Sequence, residues 1–276
     1  MAEPPVHGDG DSPEFPLGFD ISVAHPARVY DYWLGGKDNF EPDRIAAEEV
    51  IAVRPSIIRD IRANREFLGR AVRYLVTEAG VRQFLDIGTG IPSANNTHEV
   101  AQATAAESRV VYVDNDPIVM LHAQALLTGS APGVTDYLEK DLRDPGSILA
   151  EAARTLDFSQ PVAIMLIAIL HFLSDDEHPY EIVNSLMDAA APGSFLVVSH
   201  LASDIFPEEL AAFANDFNAR SAEKVTLRNH DEVARFFTGL DLVEPGVVEV
   251  SKWRPRSELE AAAANAVWCG VARKNA

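Results

Sequence analysis

The residues with the clearest chemical capacity lie in Phe84-Leu85-Asp86-Ile87-Gly88-Thr89-Gly90. An apolar run closes on a carboxylate, and two alternate glycines then open a route into a helix. Glycine lets the backbone turn tightly and approach a nucleotide closely. A Gly-x-Gly by itself is common, so Asp86 is the discriminating residue. NAD carries a pyrophosphate over this turn, and a nearby carboxylate would repel it. S-adenosylmethionine has no phosphate and brings a cationic sulfonium and ammonium instead. The third glycine of a dinucleotide fingerprint would fall at position 93, which is Ser93, with Pro92 beside it. Both departures point away from NAD.

A second acidic tip follows. The run Val110-Val111-Tyr112-Val113 ends at Asp114, 24 residues after Gly90, where a carboxylate suits a bidentate hydrogen bond to ribose hydroxyls. Asp116, just ahead of Pro117, reads as a helix N-cap. A third tip lies in Glu139-Lys140-Asp141-Leu142, where Asp141 could accept from an adenine amino group. Further on the chain reads Ala168-Ile169-Leu170-His171-Phe172. His171 would open onto the ligand side of a parallel sheet and could take a proton from an attacking hydroxyl or amine; the alternative is a packed or cofactor-contacting histidine. His200 is a second candidate, more simply read as packed. His98 has no metal-ligand partner at helical spacing and reads as local structure or a cofactor neighbour.

These residues need a scaffold. Gln83–Ile87, Val110–Val113, Val162–Leu170 and Ser194–Ser199 read as buried strands. They alternate with helical stretches at Asn96–Glu107, Pro117–Leu127, Ser147–Leu156 and Glu177–Ala190. That rhythm predicts an α/β fold on a mostly parallel sheet. Pro207–Arg220 and Asp231–Phe237 fit helices ahead of two consecutive strands, Leu242–Val250 and Ala266–Ala272, which suggest a terminal antiparallel pair. Before the sheet, Pro55 to Ala79 reads as a helix with Ile58, Ile61, Leu68, Val72 and Leu75 on one stripe. Arg59, Arg62, Arg70 and Arg73 project away from that stripe and read as a solvated face. Arg65 lies only about 40° from Ile61. An inward arginine requires an anion, either a structural carboxylate or the carboxylate of a ligand.

The order FLDIGTG, VVYVDNDP, EKDLRDP and AIMLIAILHFL resembles class I S-adenosylmethionine-dependent methyltransferases. More narrowly, ARVYDYWLGGKDNF with ANREFLGRAVRYL is similar to a bacterial S-adenosyl methyltransferase family, over about residues 20–276. The resemblance implies a Rossmann-like methyltransferase fold, a seven-stranded sheet whose last strand is antiparallel, with an N-terminal helical cap. By position it implies that Asp86, Gly88, Thr89 and Gly90 line the methionine end of S-adenosyl-L-methionine. Asp114 would hold the ribose, Asn115 would flank the adenine, and Asp141 and Leu142 would face the adenine edge, with Ala168 among the cofactor contacts. Pro92 departs from the glycine many such enzymes carry and leaves the path of that loop open. Nucleobase methyltransferases show Asn or Asp, two prolines and an aromatic residue where this chain reads Ala168 to Phe172, so base methylation is disfavoured.

The stretch Tyr30 to Phe40 packs aromatics, a diglycine and alternating charges into a short span. It is read either as a structural cap or as a lid lining the acceptor pocket, with Gly35 and Gly36 as hinge. Tyr30, Tyr32, Trp33, Lys37 and Asn39 are its candidate contacts, and the family resemblance favours the lid. Composition narrows the partners. A formal charge of −19 opposes binding to phosphate backbones and anionic lipid. Cys269 is the single cysteine, which excludes an intrachain disulfide and a cysteine-rich zinc site. No apolar run approaches the ~20 residues of a membrane span, and the acidic, proline-rich start lacks the pattern of a signal peptide. The expected organisation is a disordered leader over 1–18, a helical cap or lid over 19–80, and a cofactor-binding domain over 81–276, in a cytoplasmic protein. The expected activity is methyl transfer to an oxygen or nitrogen of a small molecule, with no nucleic-acid or membrane partner; the rival is a cofactor-binding sensor without turnover. The sequence leaves the oligomeric state open.

Overall fold

The computed structural model describes residues 21–275 apart from 94, 127–132 and 222; the leader expected over 1–18 lies outside them. Three helices come first: α1 (Pro26–Leu34), α2 (Glu41–Val53) and α3 (Ile57–Thr77). An alternating series follows: β1 (Gln83–Ile87), α4 (Thr97–Thr104), β2 (Arg109–Asp114), α5 (Pro117–Leu126), β3 (Val134–Glu139), α6 (Pro145–Ala152), β4 (Ala163–Ile167), α7 (Pro179–Ala189) and β5 (Phe195–Leu201). The chain ends with α8 (Pro207–Arg220), α9 (His230–Ala234), β6 (Asp241–Leu242), β7 (Val248–Glu249), α10 (Glu258–Ala261) and β8 (Val267–Arg273).

The sheet runs β3-β2-β1-β4-β5-β8-β6, with β7 also paired to β8. β1 to β5 are mutually parallel and β8 runs antiparallel to β5. Among the described residues the sheet has eight strands, because the single strand expected over Leu242–Val250 is divided. Its two-residue ends, β6 and β7, each pair with β8. Between them Pro245 has no N–H for a ladder, and Gly246 turns the chain at φ 87°.

Strand periodicity sends alternate residues to opposite faces. Phe84, Val110, Tyr112, Ala163 and Met165 join the core formed with α1, α2, α3 and α8. Leu85, Ile87, Val111, Ile164 and Leu166 join a second core with α6 and α7. Asp86 shares the face of Phe84 and therefore looks toward α3 and α4.

Tyr30 to Leu34 belong to a helix, with Pro26 in its first turn and Gly35 closing it at φ 82°. One expectation changes here, at Arg70. Arg70 is buried rather than solvated: it donates to the carbonyls of Trp253 and Val250 and pairs with Glu260, while Arg59, Arg62 and Arg73 are exposed. No described helix is long and apolar enough to cross a membrane.

Candidate active site

A cleft follows the C-terminal ends of the strands beneath α1 and α3. At its centre the turn after β1 is tied to β2. Gly88 donates to the Val113 carbonyl (2.8 Å), and Gly90 donates to Asp114 Oδ2 (2.7 Å). Gly88 has φ 74°, and a Cβ there would lie 2.4 Å from Ile169 Cγ1, so only glycine fits between β1 and β4. Gly90 has open space where a Cβ would project. Asp114 Oδ1 accepts from the Asp116 amide (3.0 Å). A carboxylate offers about four lone-pair sites, so Asp114 organises this turn and keeps acceptor capacity. Burial raises its pKa against the backbone donors.

Asp86, 4% exposed, accepts from Thr97 Oγ1 (2.6 Å). Burial pushes its pKa up to about 6 despite the Thr97 hydroxyl and the opposing charge of Arg65; Asp114 adds to the rise. Arg65 reaches across from α3 to Asn96 Oδ1 (2.6 Å), the N-cap of α4. Its charge also bears on the Asp86 carboxylate. Beside it Asn64 donates to Tyr30 Oη (3.1 Å), while its Oδ1 is buried without a hydrogen-bond partner among the described residues.

On the β2–β3 side, Asn115 donates to Asp141 Oδ2 (3.3 Å), and Leu142 forms a buried wall. On the β4 side, Ala168 adopts φ 56°, a left-handed conformation rare for residues other than glycine. It is held there by donation from its amide to Ser199 O (3.1 Å) and Oγ (3.0 Å). That kink delivers His171, on the 3-10 turn Leu170–Phe172, into the cleft wall. His171 is buried and its Nδ1 has no partner among the described residues. Burial, then His200 and Arg228, hold its pKa well below the ordinary histidine range.

His200 does not line the cleft. Its Nδ1 meets the Leu201 carbonyl (2.8 Å) and its Nε2 meets Arg228 Nη1 (2.9 Å). His98 bonds to Tyr112 Oη (2.8 Å) as local structure. Asp116 caps α5 through the Ile118 amide (2.9 Å).

The expected lid residues separate. Tyr30 and Trp33 line the cleft, being three apart on α1. Tyr32 falls on another face and bonds to Glu48 of α2. Lys37 is exposed beyond Gly35, and Asn39 is buried against Asp31 Oδ2 (2.8 Å), both outside the lining. Gly36 is not a free hinge, since a Cβ there would sit 1.9 Å from Asp31 Oδ1. The cap is fastened to the sheet by His25 Nδ1 against Asp116 Oδ2 (2.9 Å) and His122 against Asp38 (3.7 Å).

Sequence reasoning missed the far end of the cleft. There Phe172, Leu201, Phe213, Phe217, Val225 and Val267 form a largely apolar wall from the Leu170–Phe172 turn, β5, α8, the segment after α8, and β8. The spacing of Leu210, Phe213 and Phe217 on α8 is the signal that could have found it. The sheet order therefore divides the cleft: acidic groups at β1–β3, apolar and aromatic groups at β5 and β8.

A family model described as S-adenosyl methyltransferase matches residues 14–275. The chain belongs to the S-adenosyl methyltransferase family. Its fold is similar to that of a DUF574 family protein from Streptomyces avermitilis MA-4680 (45% identity, 92% of this chain and 99% of that one, TM-score 0.89). It is also similar to a candidate methyltransferase from Thermobifida fusca YX (40% identity, 96% and 100% covered, TM-score 0.88). An O-methyltransferase family protein from Burkholderia thailandensis shares the fold at 15% identity over 86% of this chain and 61% of that one, with TM-score 0.51. No curated protein matches the chain. The methyltransferase uses S-adenosyl-L-methionine, and the cleft fits that molecule chemically. Asp86 and Asp114 offer buried carboxylates suited to cations and hydroxyls, Gly90 leaves space, and Asn64 Oδ1 is a buried acceptor in need of a donor.

Proposed function

We propose that the methyltransferase methylates an oxygen or nitrogen of a small-molecule acceptor seated in the apolar half of the cleft. The observation that carries this reading is the continuity of one cleft from the acidic turns of β1–β3 to the phenylalanine-rich wall of α8. Asp86, Gly88, Thr89 and Gly90 would meet the methionine end, with Arg65 facing its carboxylate and Asn64 Oδ1 accepting from its ammonium. Asp114 would take the ribose, Asn115, Asp141 and Leu142 the adenine, and Ala168 the border with the acceptor. When bound, the cofactor supplies an electrophilic methyl group. The chain's own contribution is alignment and exclusion of water: Tyr30 and Trp33 roof the site, and Phe172, Phe213 and Phe217 desolvate the acceptor. His171 is the catalytic candidate, a neutral imidazole able to take a hydrogen bond from the reacting hydroxyl or amine. The charge of −19 argues against nucleic-acid or anionic-membrane acceptors. A cytoplasmic setting fits the lone buried thiol of Cys269. The test supplies methyl-labelled S-adenosylmethionine and a panel of small phenols, alcohols and amines. Acceptor-dependent release of S-adenosylhomocysteine with label in the acceptor is expected; tight cofactor binding without release across the panel counts against turnover and for a sensor.

A further inference from the structure

Arg228 precedes α9 and is 2% exposed, yet it does not line the cleft. Its guanidinium is spent on fastening the turn that carries His171. Nη1 donates to the Leu170 carbonyl (3.1 Å) and Nη2 to the Leu173 carbonyl (2.9 Å), bracketing His171 on both sides. Nη1 also donates to His200 Nε2 (2.9 Å). Because a guanidinium only donates, that nitrogen must be the bare one, and the His200 proton sits on Nδ1 facing the Leu201 carbonyl (2.8 Å). The His200 ring then stands edge-on to His171 at 5.6 Å. Behind His171 there is thus a fixed cation and a fixed tautomer. The sole carboxylate on Arg228 among the described residues is Asp175, whose side chain is 75% exposed, so solvent screens it more than it screens the guanidinium.

We infer that Arg228 is a positioning residue for methyl transfer: it locks the Leu170–Phe172 turn so that His171 offers the acceptor a rigid, uncharged hydrogen-bonding edge. This rests on the acceptor occupying the apolar half of the cleft. The charged and titratable groups around the turn are His200 on β5, Arg228, Asp175 ahead of α7, and Arg143 and Glu223 at the mouth. Arg143 donates to the Phe172 carbonyl (3.4 Å) and pairs with Glu223 (3.1 Å). An imidazolium at His171 would face Arg228 in a dry environment, so the proton of the acceptor is not stored there. His171 orients the acceptor's lone pair, and the proton leaves to solvent after the methyl has moved.

Ring-labelled histidine NMR on the full chain tests this without any acceptor. In the wild type, the His171 ring should stay neutral from pH 8 to pH 5. In Arg228→Gln its midpoint should move measurably upward, while burial, the larger cause, still holds it below the ordinary histidine range. The amides of Leu173 and Thr226, which bond across the turn, should exchange at least tenfold faster. Arg228→Lys keeps the charge and loses the fork, so exchange should quicken while the ring stays neutral; if Arg228→Gln does not fold, this variant decides. A role in stability alone would lower Tm and leave ring titration and local exchange unchanged, overturning the proposal, as would an ordinary wild-type titration near pH 6.5. With any acceptor that turns over, His171→Ala should lower kcat and His171→Gln, which restores a neutral hydrogen-bond acceptor, should recover part of that loss, whereas proton storage at His171 would leave both variants equally impaired, by about 10²–10⁴. Lack of turnover would refute the acceptor reading alone, because the ring and exchange data still judge Arg228.

Discussion

Cofactor binding should expel a proton from Asp86 below about pH 6. Burial lifts this carboxyl from 3.8 to about 6, a gap worth about 3 kcal/mol between the two protonation states. Because the native pKa is the higher one, the folded chain holds more protons than the unfolded chain across that interval. Stability therefore falls as pH rises from about 4 to 6, and the full cost persists at pH 7. A cation placed beside Asp86 reverses the preference and favours the carboxylate. Affinity for S-adenosylmethionine should then climb up to about tenfold per pH unit toward pH 6 and level off above it. Calorimetry in two buffers of different ionisation enthalpy counts the released proton directly. Asp86→Asn should bind more weakly, lose that proton release, and be more stable than wild type at pH 7 without cofactor, by as much as about 3 kcal/mol. Equal wild-type affinities at pH 5 and pH 7 with no buffer dependence would refute the reasoning.

Gly88→Ala should abolish cofactor binding and lower Tm, since its Cβ meets Ile169 at 2.4 Å on a backbone with φ 74°; adding Ile169→Ala should recover part of the Tm by relieving the clash but not the φ strain. Asp114→Ala should weaken cofactor affinity about 10- to 150-fold by calorimetry, the loss of one or more charge-assisted bonds at roughly 1.5–3 kcal/mol each, and an unchanged affinity would place the ribose elsewhere. Wild type should prefer S-adenosylmethionine over its decarboxylated analogue, and Arg65→Ala should lose most of that preference. Preference retained alongside a lowered Tm would assign Arg65 to holding Asn96 and the α4 N-terminus.

Legibility in the sequence followed burial. β1, β2, β4 and β5 were readable because both faces are covered and their apolar runs are nearly unbroken. β3 lies at the sheet edge with Val134 exposed and Asp136 on it, so only its acidic tip stood out. α1 was obscured because Arg28 and Asp31 are buried among its apolar residues. Arg28 is satisfied by Asp43 on α2 (3.0 Å), and periodicity cannot anticipate a charge neutralised by another helix. The cofactor half of the cleft depends on short local motifs, which a sequence displays. The acceptor half is assembled from α1, α3, α8 and β8, segments whose adjacency exists only after folding.

Arg70 couples the earliest helices to the last stretch of the chain. It sits in α3, yet its carbonyl partners at Val250 and Trp253 and its carboxylate at Glu260 lie 180, 183 and 190 residues downstream. At about 5–20 residues per second, translation would leave this guanidinium without these partners for roughly 10–40 s after α3 is made. The buried polar partners of Arg70 in α3 are thus completed only by a segment 180 or more residues downstream. Nascent chains halted before Val250 should therefore remain bound by chaperones and open to proteases, with the Arg70 guanidinium left without its partners.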